Sequence, residues 1–108
     1  MDPPIRYSRR GGACIGGFNG TWPFGKIEIR EGAVTVRLLG ARRTLTVAEV
    51  LRVEPLGFLA GDDGPGVRIF CRGKFWDESV DFYSLSARDE VLAELKIAGF
   101  NVVDVPRS

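Results

Sequence analysis

At 108 residues, 44% hydrophobic and 27% charged, the chain has the composition of one globular domain able to bury its own core. Fifteen Lys and Arg against fourteen Asp and Glu leave a net charge of +1, so bulk charge favours neither nucleic acid nor an anionic membrane as a partner. No apolar run approaches the ~20 residues of a membrane span, and the first residues lack the apolar stretch of a signal peptide. The expected location is cytoplasmic, with the inner membrane face as the alternative.

Residues 1–12, with Pro3, Pro4, Arg9, Arg10, Gly11 and Gly12, read as a flexible, weakly basic arm. A short first strand is expected over 13–18. A loop over 19–25 should follow, because Asn19-Gly20 signals a turn and Pro23 lacks a ladder donor. In 26–30 polar and apolar residues alternate, which puts Ile27 and Ile29 on one face of a strand. Glu31-Gly32 turns the chain into a strand over 33–39, carrying Val34, Val36 and Leu38 on one face. Gly40-Ala41 turns again into a strand over 42–47, with Leu45 and Val47 inward. One helical or bulged turn is expected at 48–50. A fifth strand follows over 51–60, where Pro55 marks a bulge or an edge. A loop over 61–66, a strand over 67–72, a turn at 73–77 and a strand over 78–84 complete the β portion.

The closing helix is signed at both ends. Ser86 is a suitable cap, and Asp89 resembles the acidic partner of a capping box. Val91, Leu92, Leu95 and Ala98 form a stripe at helical spacing. Gly99 fits the position just past the helix, with Phe100 packing back on Leu95. Residues 104–108 read as a tail.

Seven short strands joined by tight turns and followed by one helix resemble the pleckstrin-homology-like (PH-like) superfold over residues 13–103. The segment Gly16-Gly17-Phe18-Asn19-Gly20-Thr21-Trp22-Pro23 and the helix ending in Ala98-Gly99-Phe100 are similar to small bacterial members of that group. The resemblance implies a mainly β domain with one C-terminal α-helix. Its seven strands would form a partly open barrel of two near-orthogonal antiparallel sheets. It also implies a binding module for phosphoinositides, peptides or another domain. The best-known lipid-binding members carry basic residues on strand one, the first loop and strand two. In the strand boundaries read here, strand one has none, and strand two offers only Lys26 and Arg30 with Glu28 between them. Specific inositol-phosphate recognition is therefore not expected.

Catalysis is not expected. The chain has no histidine to serve as a general base near neutral pH, and Ser79, Ser84 and Ser86 show no base partner. Asp62-Asp63 and Asp77-Glu78 read as solvated turn acids. The glycine-rich 61–66 lacks the Lys-Ser/Thr and helix of a phosphate loop. Cys14 and Cys71 read as small buried hydrophobes, and two thiols without histidine do not make a zinc site. No metal or cofactor is expected.

The binding candidates are aromatic and basic. Trp22 is expected to fold under the barrel and close its open end, with insertion into a membrane interface or a partner as the alternative. Trp76, beside Phe75 in a turn, is a candidate contact residue. Arg37, Arg42, Arg43 and Arg52 form the one local basic cluster, with Arg37 and Arg43 expected on a shared outward face able to meet anionic lipid or an acidic partner. No outward aromatics are expected near that cluster, so specific nucleic-acid binding is not expected. Phe70 and Tyr83 are expected to face outward on the last two strands as a contact surface for a protein, a second copy of the chain included. The reading is thus a non-catalytic binding or scaffold domain with a protein partner; the runner-up is a peripheral module for anionic membranes built on Trp22 and the arginines.

Overall fold

The computed structural model describes residues 3–56, 66–73, 78–84 and 88–103. Seven strands and one helix follow each other along the chain: β1 Ile5–Ile15, β2 Phe18–Arg30, β3 Ala33–Leu38, β4 Ala41–Thr46, β5 Val50–Leu56, β6 Gly66–Cys71, β7 Glu78–Tyr83 and α1 Arg88–Ile97. All strands pair antiparallel in the order β4-β3-β2-β1-β7-β6-β5, a single sheet that curls without closing. The expected mainly β domain with a terminal helix is therefore what the chain forms.

Alternation explains most of the strands. Ile27 and Ile29 on β2, Val34 and Val36 on β3, Leu45 on β4, Val67 and Ile69 on β6, and Val80 and Phe82 on β7 are buried on the inner face. On α1, Val91 and Leu95 plug the mouth of the curl, joined by Ala98 and Phe100. The helix ends as its sequence predicts. Gly99 has φ of +107°, its N–H donates to the Lys96 carbonyl at 3.1 Å, and the Phe100 N–H donates to the Leu95 carbonyl at 3.0 Å. These are the two hydrogen bonds of a Schellman cap. The expected N-cap Ser86 lies outside the described residues.

The structure differs from the sequence reading at the N-terminal end. Strand β1 begins at Ile5, inside the segment read as a flexible arm. Tyr7 and Arg9 stand opposite Ile29 and Ile27 and so take the inner face. An arginine there breaks the apolar alternation that marks a strand. It is accommodated because α1 covers that end of the sheet, with Arg9 3.8 Å from Glu90 and Arg6 3.8 Å from Glu94. Burial, with Glu90 beside it, pushes the Tyr7 phenol up to about 12.

Strand β2 likewise starts at Phe18, within the stretch read as a loop. The turn into it is Gly16-Gly17, both residues at positive φ. Ala13 pairs with Gly20 and Gly11 with Gly25, so Thr21–Phe24 stand opposite the single residue Gly12. This bulge is where Pro23 is tolerated. Glycines permit the crossing: a Cβ on Gly25 would meet the Gly12 carbonyl carbon at 2.7 Å.

Two devices hold the open sides. Arg43 pairs with Val36, which makes it inward-facing, and its Nη2 reaches Glu78 Oε1 on β7 at 3.0 Å across the seam. At the other edge, the Val53 N–H donates to the Asn101 carbonyl, and the Val103 N–H donates to the Val53 carbonyl, each at 2.8 Å. Residues after the helix thus cover the outer edge of β5, the strand in which Pro55 sits.

Candidate functional site

Register alone assembles the first part of the site. Arg10 stands opposite Lys26, Lys26 opposite Arg37, and Arg37 opposite Arg42. Directly opposed residues share a face, and the neighbouring Ile27 and Val36 point inward, so these four cations form one outward row across β1, β2, β3 and β4. At roughly 4.8 Å per strand the row spans about 14 Å. Glu28, one step along the same face, accepts a hydrogen bond from Arg37 Nε at 2.8 Å and lies 3.7 Å from Lys26 Nζ. The Arg37 guanidinium holds the Glu28 carboxyl below the usual carboxylate range, against the opposing effect of burial. Arg10 and Arg42 are exposed and make no ion pair among the described residues. Four cations thus face one carboxylate.

The second part is apolar and lies two residues further along the same strands. Phe24 follows the row on β2 and Leu39 follows it on β3; the Leu39 N–H donates to the Phe24 carbonyl at 3.3 Å. Trp22 stands out from the β2 bulge, and Phe18 begins β2 at the tip. Exposure is 68% for Phe18, 65% for Trp22, 54% for Phe24 and 75% for Leu39. The rim is a departure from the burial that large apolar side chains normally find. Leu39 adds a second departure. It holds φ of +52° at the first position of the β3–β4 turn, where L-residues with a large side chain are disfavoured. Phe18, Asn19, Leu38, Leu39, Gly40 and Ala41 line a groove of about 390 Å³ between this turn and the β1–β2 tip.

The residues singled out from sequence are dispersed. Arg37 and Arg42 meet in the row, but Arg43 does not share their face. Opposite positions fall at Arg37 and Arg42, so Arg43 turns inward to Glu78. Arg52 lies on the other half of the sheet, its guanidinium 4.0 Å above the Phe70 ring and paired with Glu54. Phe70 is therefore half-buried beneath a cation. Tyr83 is at the border of exposure, and its hydroxyl donates to Asp81 Oδ2 at 3.1 Å. Burial, then the Asp81 charge, pushes that phenol up to about 12. Asp81 also accepts two bonds from Arg68, at 2.9 and 3.0 Å, so Arg68 and Asp81, like Arg52 and Glu54, are spent on one another. Trp76, Asp62, Asp63 and Asp77 lie outside the described residues. Trp22, expected beneath the barrel, is on its surface.

The two cysteines are not joined in a disulfide; Cys71 points inward and is buried, whereas Cys14 lies opposite Asp81 on the outward face. Among the described residues no group of three or more His, Cys, Asp or Glu is placed to hold a metal ion, and no helix is long and apolar enough to cross a membrane. The sequence reading missed Arg10, Phe18, Phe24 and Leu39. Arg10 was hidden by the arm assignment. The available signal was the register of the hairpins, which puts Lys26, Arg37 and Arg42 in line once each turn is placed. Compared with known protein families, curated proteins and solved structures, the chain matches none.

Proposed function

We propose that this is a non-catalytic binding module of the PH-like kind that docks on an anionic membrane surface, at the inner face of a membrane. The observation that carries the reading is the contiguity of the row of four outward cations with exposed Phe24 and Leu39, two residues beyond Lys26 and Arg37, with Trp22 and Phe18 exposed at the same end of the sheet. Trp22 suits the interface, where its ring leaves water while its indole N–H stays hydrated, and Phe18, Phe24 and Leu39 add apolar area. The row then lies level with the headgroups. A basic residue near an anionic surface contributes about 1 kcal/mol; four cations less one carboxylate give about 3 kcal/mol, weakened by salt. The strand order and terminal helix support the PH-like assignment. A basic residue on the outward face of β1, absent from the strand as first bounded by sequence, is present in Arg10, whereas Arg6 and Arg9 pair with glutamates of α1. The contact surface expected for a protein partner has less apolar area to offer, since Phe70 is covered by Arg52.

Co-sedimentation with phosphatidylserine-containing and neutral phosphatidylcholine vesicles, at low and moderate salt, tests the proposal. Binding to the anionic vesicles that falls with salt is expected, with Arg42→Glu weakening it about tenfold or more. Failure to sediment with anionic vesicles at low salt rejects the membrane assignment.

A further inference from the structure

The two outer edges of the sheet differ. On β5 the Val53 N–H and carbonyl are taken by Asn101 and Val103, so that edge is covered. The edge of β4 is not. The Val47 N–H donates to the Gly32 carbonyl at 3.1 Å, and the Leu39 N–H to the Phe24 carbonyl at 3.3 Å. Successive residues of an antiparallel ladder bond to alternate sides, so these two bonds fix the alternation. Ala41, Arg43 and Leu45 bond back to β3, while Arg42, Thr44 and Thr46 turn their N–H and carbonyl groups off the sheet. Glu49 closes the last of these: its carboxylate accepts from the Thr46 N–H at 2.9 Å, and its own N–H donates to the Thr46 carbonyl at 3.0 Å. Arg42 and Thr44 are exposed, and no group among the described residues meets their outer N–H and carbonyl groups. β4 also lacks the proline, lysine or bulge that commonly blunts an edge.

Charge selects what can pair there. A second copy cannot add its own β4 in the antiparallel, two-fold way of most dimers without a fault. Pairing Arg42 with Arg42 sets that arginine against itself, and pairing Arg42 with Thr44 does the same to Arg43. Like charges directly opposed are destabilising. Pairing Thr44 with Thr44 sends Arg42 to Thr46, whose backbone groups Glu49 already holds. An acidic strand meets the opposite situation. Arg42 is without an ion pair among the described residues, and Arg37 stands beside it on the same face, whereas Glu28, the carboxylate of that row, lies on β2. We propose that the open β4 edge takes an extended acidic segment of a partner protein as an eighth strand, hydrogen-bonded at Arg42 and Thr44 with a carboxylate opposite Arg42. This goes beyond the membrane reading and stands without it, because backbone groups at a strand edge make the contact.

The probe is a synthetic peptide of alternating glutamate and valine, blocked at both ends, with its lysine–valine counterpart as control. Each is titrated into the full chain at low salt by calorimetry, and amide hydrogen exchange is read by NMR on the same preparations. The glutamate peptide should bind about fivefold or more tighter than the lysine peptide, and exchange should slow at the Arg42 and Thr44 amides. Thr44→Pro removes an outward N–H that the sheet does not use and should weaken binding about fivefold or more. Arg42→Glu, at an exposed position, serves should the proline variant not fold, and it should reverse the order of the two peptides. Absence of binding by the glutamate peptide, or binding that leaves exchange at Arg42 and Thr44 unchanged, overturns the edge assignment whatever vesicles do. Equal binding of the two peptides by the parent overturns the inference that the partner is acidic. Slowed exchange at the same amides on concentrating the chain alone gives the edge to a second copy and overturns the partner assignment. Peptide binding of the expected kind in a chain that fails to sediment with anionic vesicles supports the edge assignment and rejects the membrane reading.

Discussion

Replacing Leu39 by asparagine should make the domain more stable and bind membranes less well. The two effects have separate origins at one residue. Leu39 sits at φ of +52° in the turn between β3 and β4. An L-residue in the left-handed region costs about 1–2 kcal/mol, and asparagine is among the few that visit it routinely. Since Leu39 is 75% exposed, little core burial is lost. A net gain of about 1 kcal/mol is expected, which for a domain near this size raises Tm by roughly 4–8 °C. The binding side follows from the same exposure. Fully burying a leucine is worth about 1.5–3 kcal/mol; three quarters of that is about 1–2 kcal/mol, a loss of roughly 5–30-fold in affinity. Thermal unfolding by circular dichroism and vesicle co-sedimentation read the two quantities. A lower Tm would refute the strain argument, and unchanged sedimentation would refute the role of the rim.

Gly11→Ala should destabilise the fold by about 1–3 kcal/mol, read by urea denaturation, because its Cβ would overlap the Tyr83 carbonyl oxygen and lie 2.9 Å from Phe82 Cζ. Glu28 has a carboxyl held below its ordinary 4.5 by the Arg37 hydrogen bond. Its contribution is present above that value and lost as pH falls through the lower folded value, so Glu28→Gln should flatten the acid limb of a stability–pH curve. The same variant removes the one carboxylate from the cationic row and should tighten binding to anionic vesicles. Tyr7 and Tyr83 are raised from 10.0 to about 12. Stability from these two groups is therefore complete below pH 10 and is lost as pH climbs toward 12, and an ultraviolet titration should show both tyrosines ionising late. Ionisation of both at pH 10 in the folded protein would contradict their burial.

Much of the fold was legible in the chain because short-range chemistry sets it. Alternation in Lys26–Arg30 and in Val34-Thr35-Val36 fixes a period of two and hence which side chains turn inward. Gly99 and Phe100 fix the helix end through bonds to Lys96 and Leu95, a few residues away. Alternation failed where the partner came from far along the chain. The inner face of β1 carries Arg9, tolerable because α1 brings Glu90 to it, a contact across most of the sequence. Pro23 and Asn19-Gly20 look like a loop by local rules, yet they belong to β2 because Gly11 and Gly25 allow the strands to cross.

The candidate surface divides along the same line. The sequence by itself determined the residue supply: the aromatics near Trp22, the arginines of β3 and β4, and the turns that set hairpin register. Only the tertiary structure decided which of them act together. A one-residue difference in register sent Arg43 inward to Glu78 and left Arg42 outward beside Arg37, because successive side chains on a strand leave from opposite faces. Long-range pairing of β1 with β2 added Arg10 to the row, and the curl of the sheet left Phe18, Trp22, Phe24 and Leu39 outside the core that α1 fills.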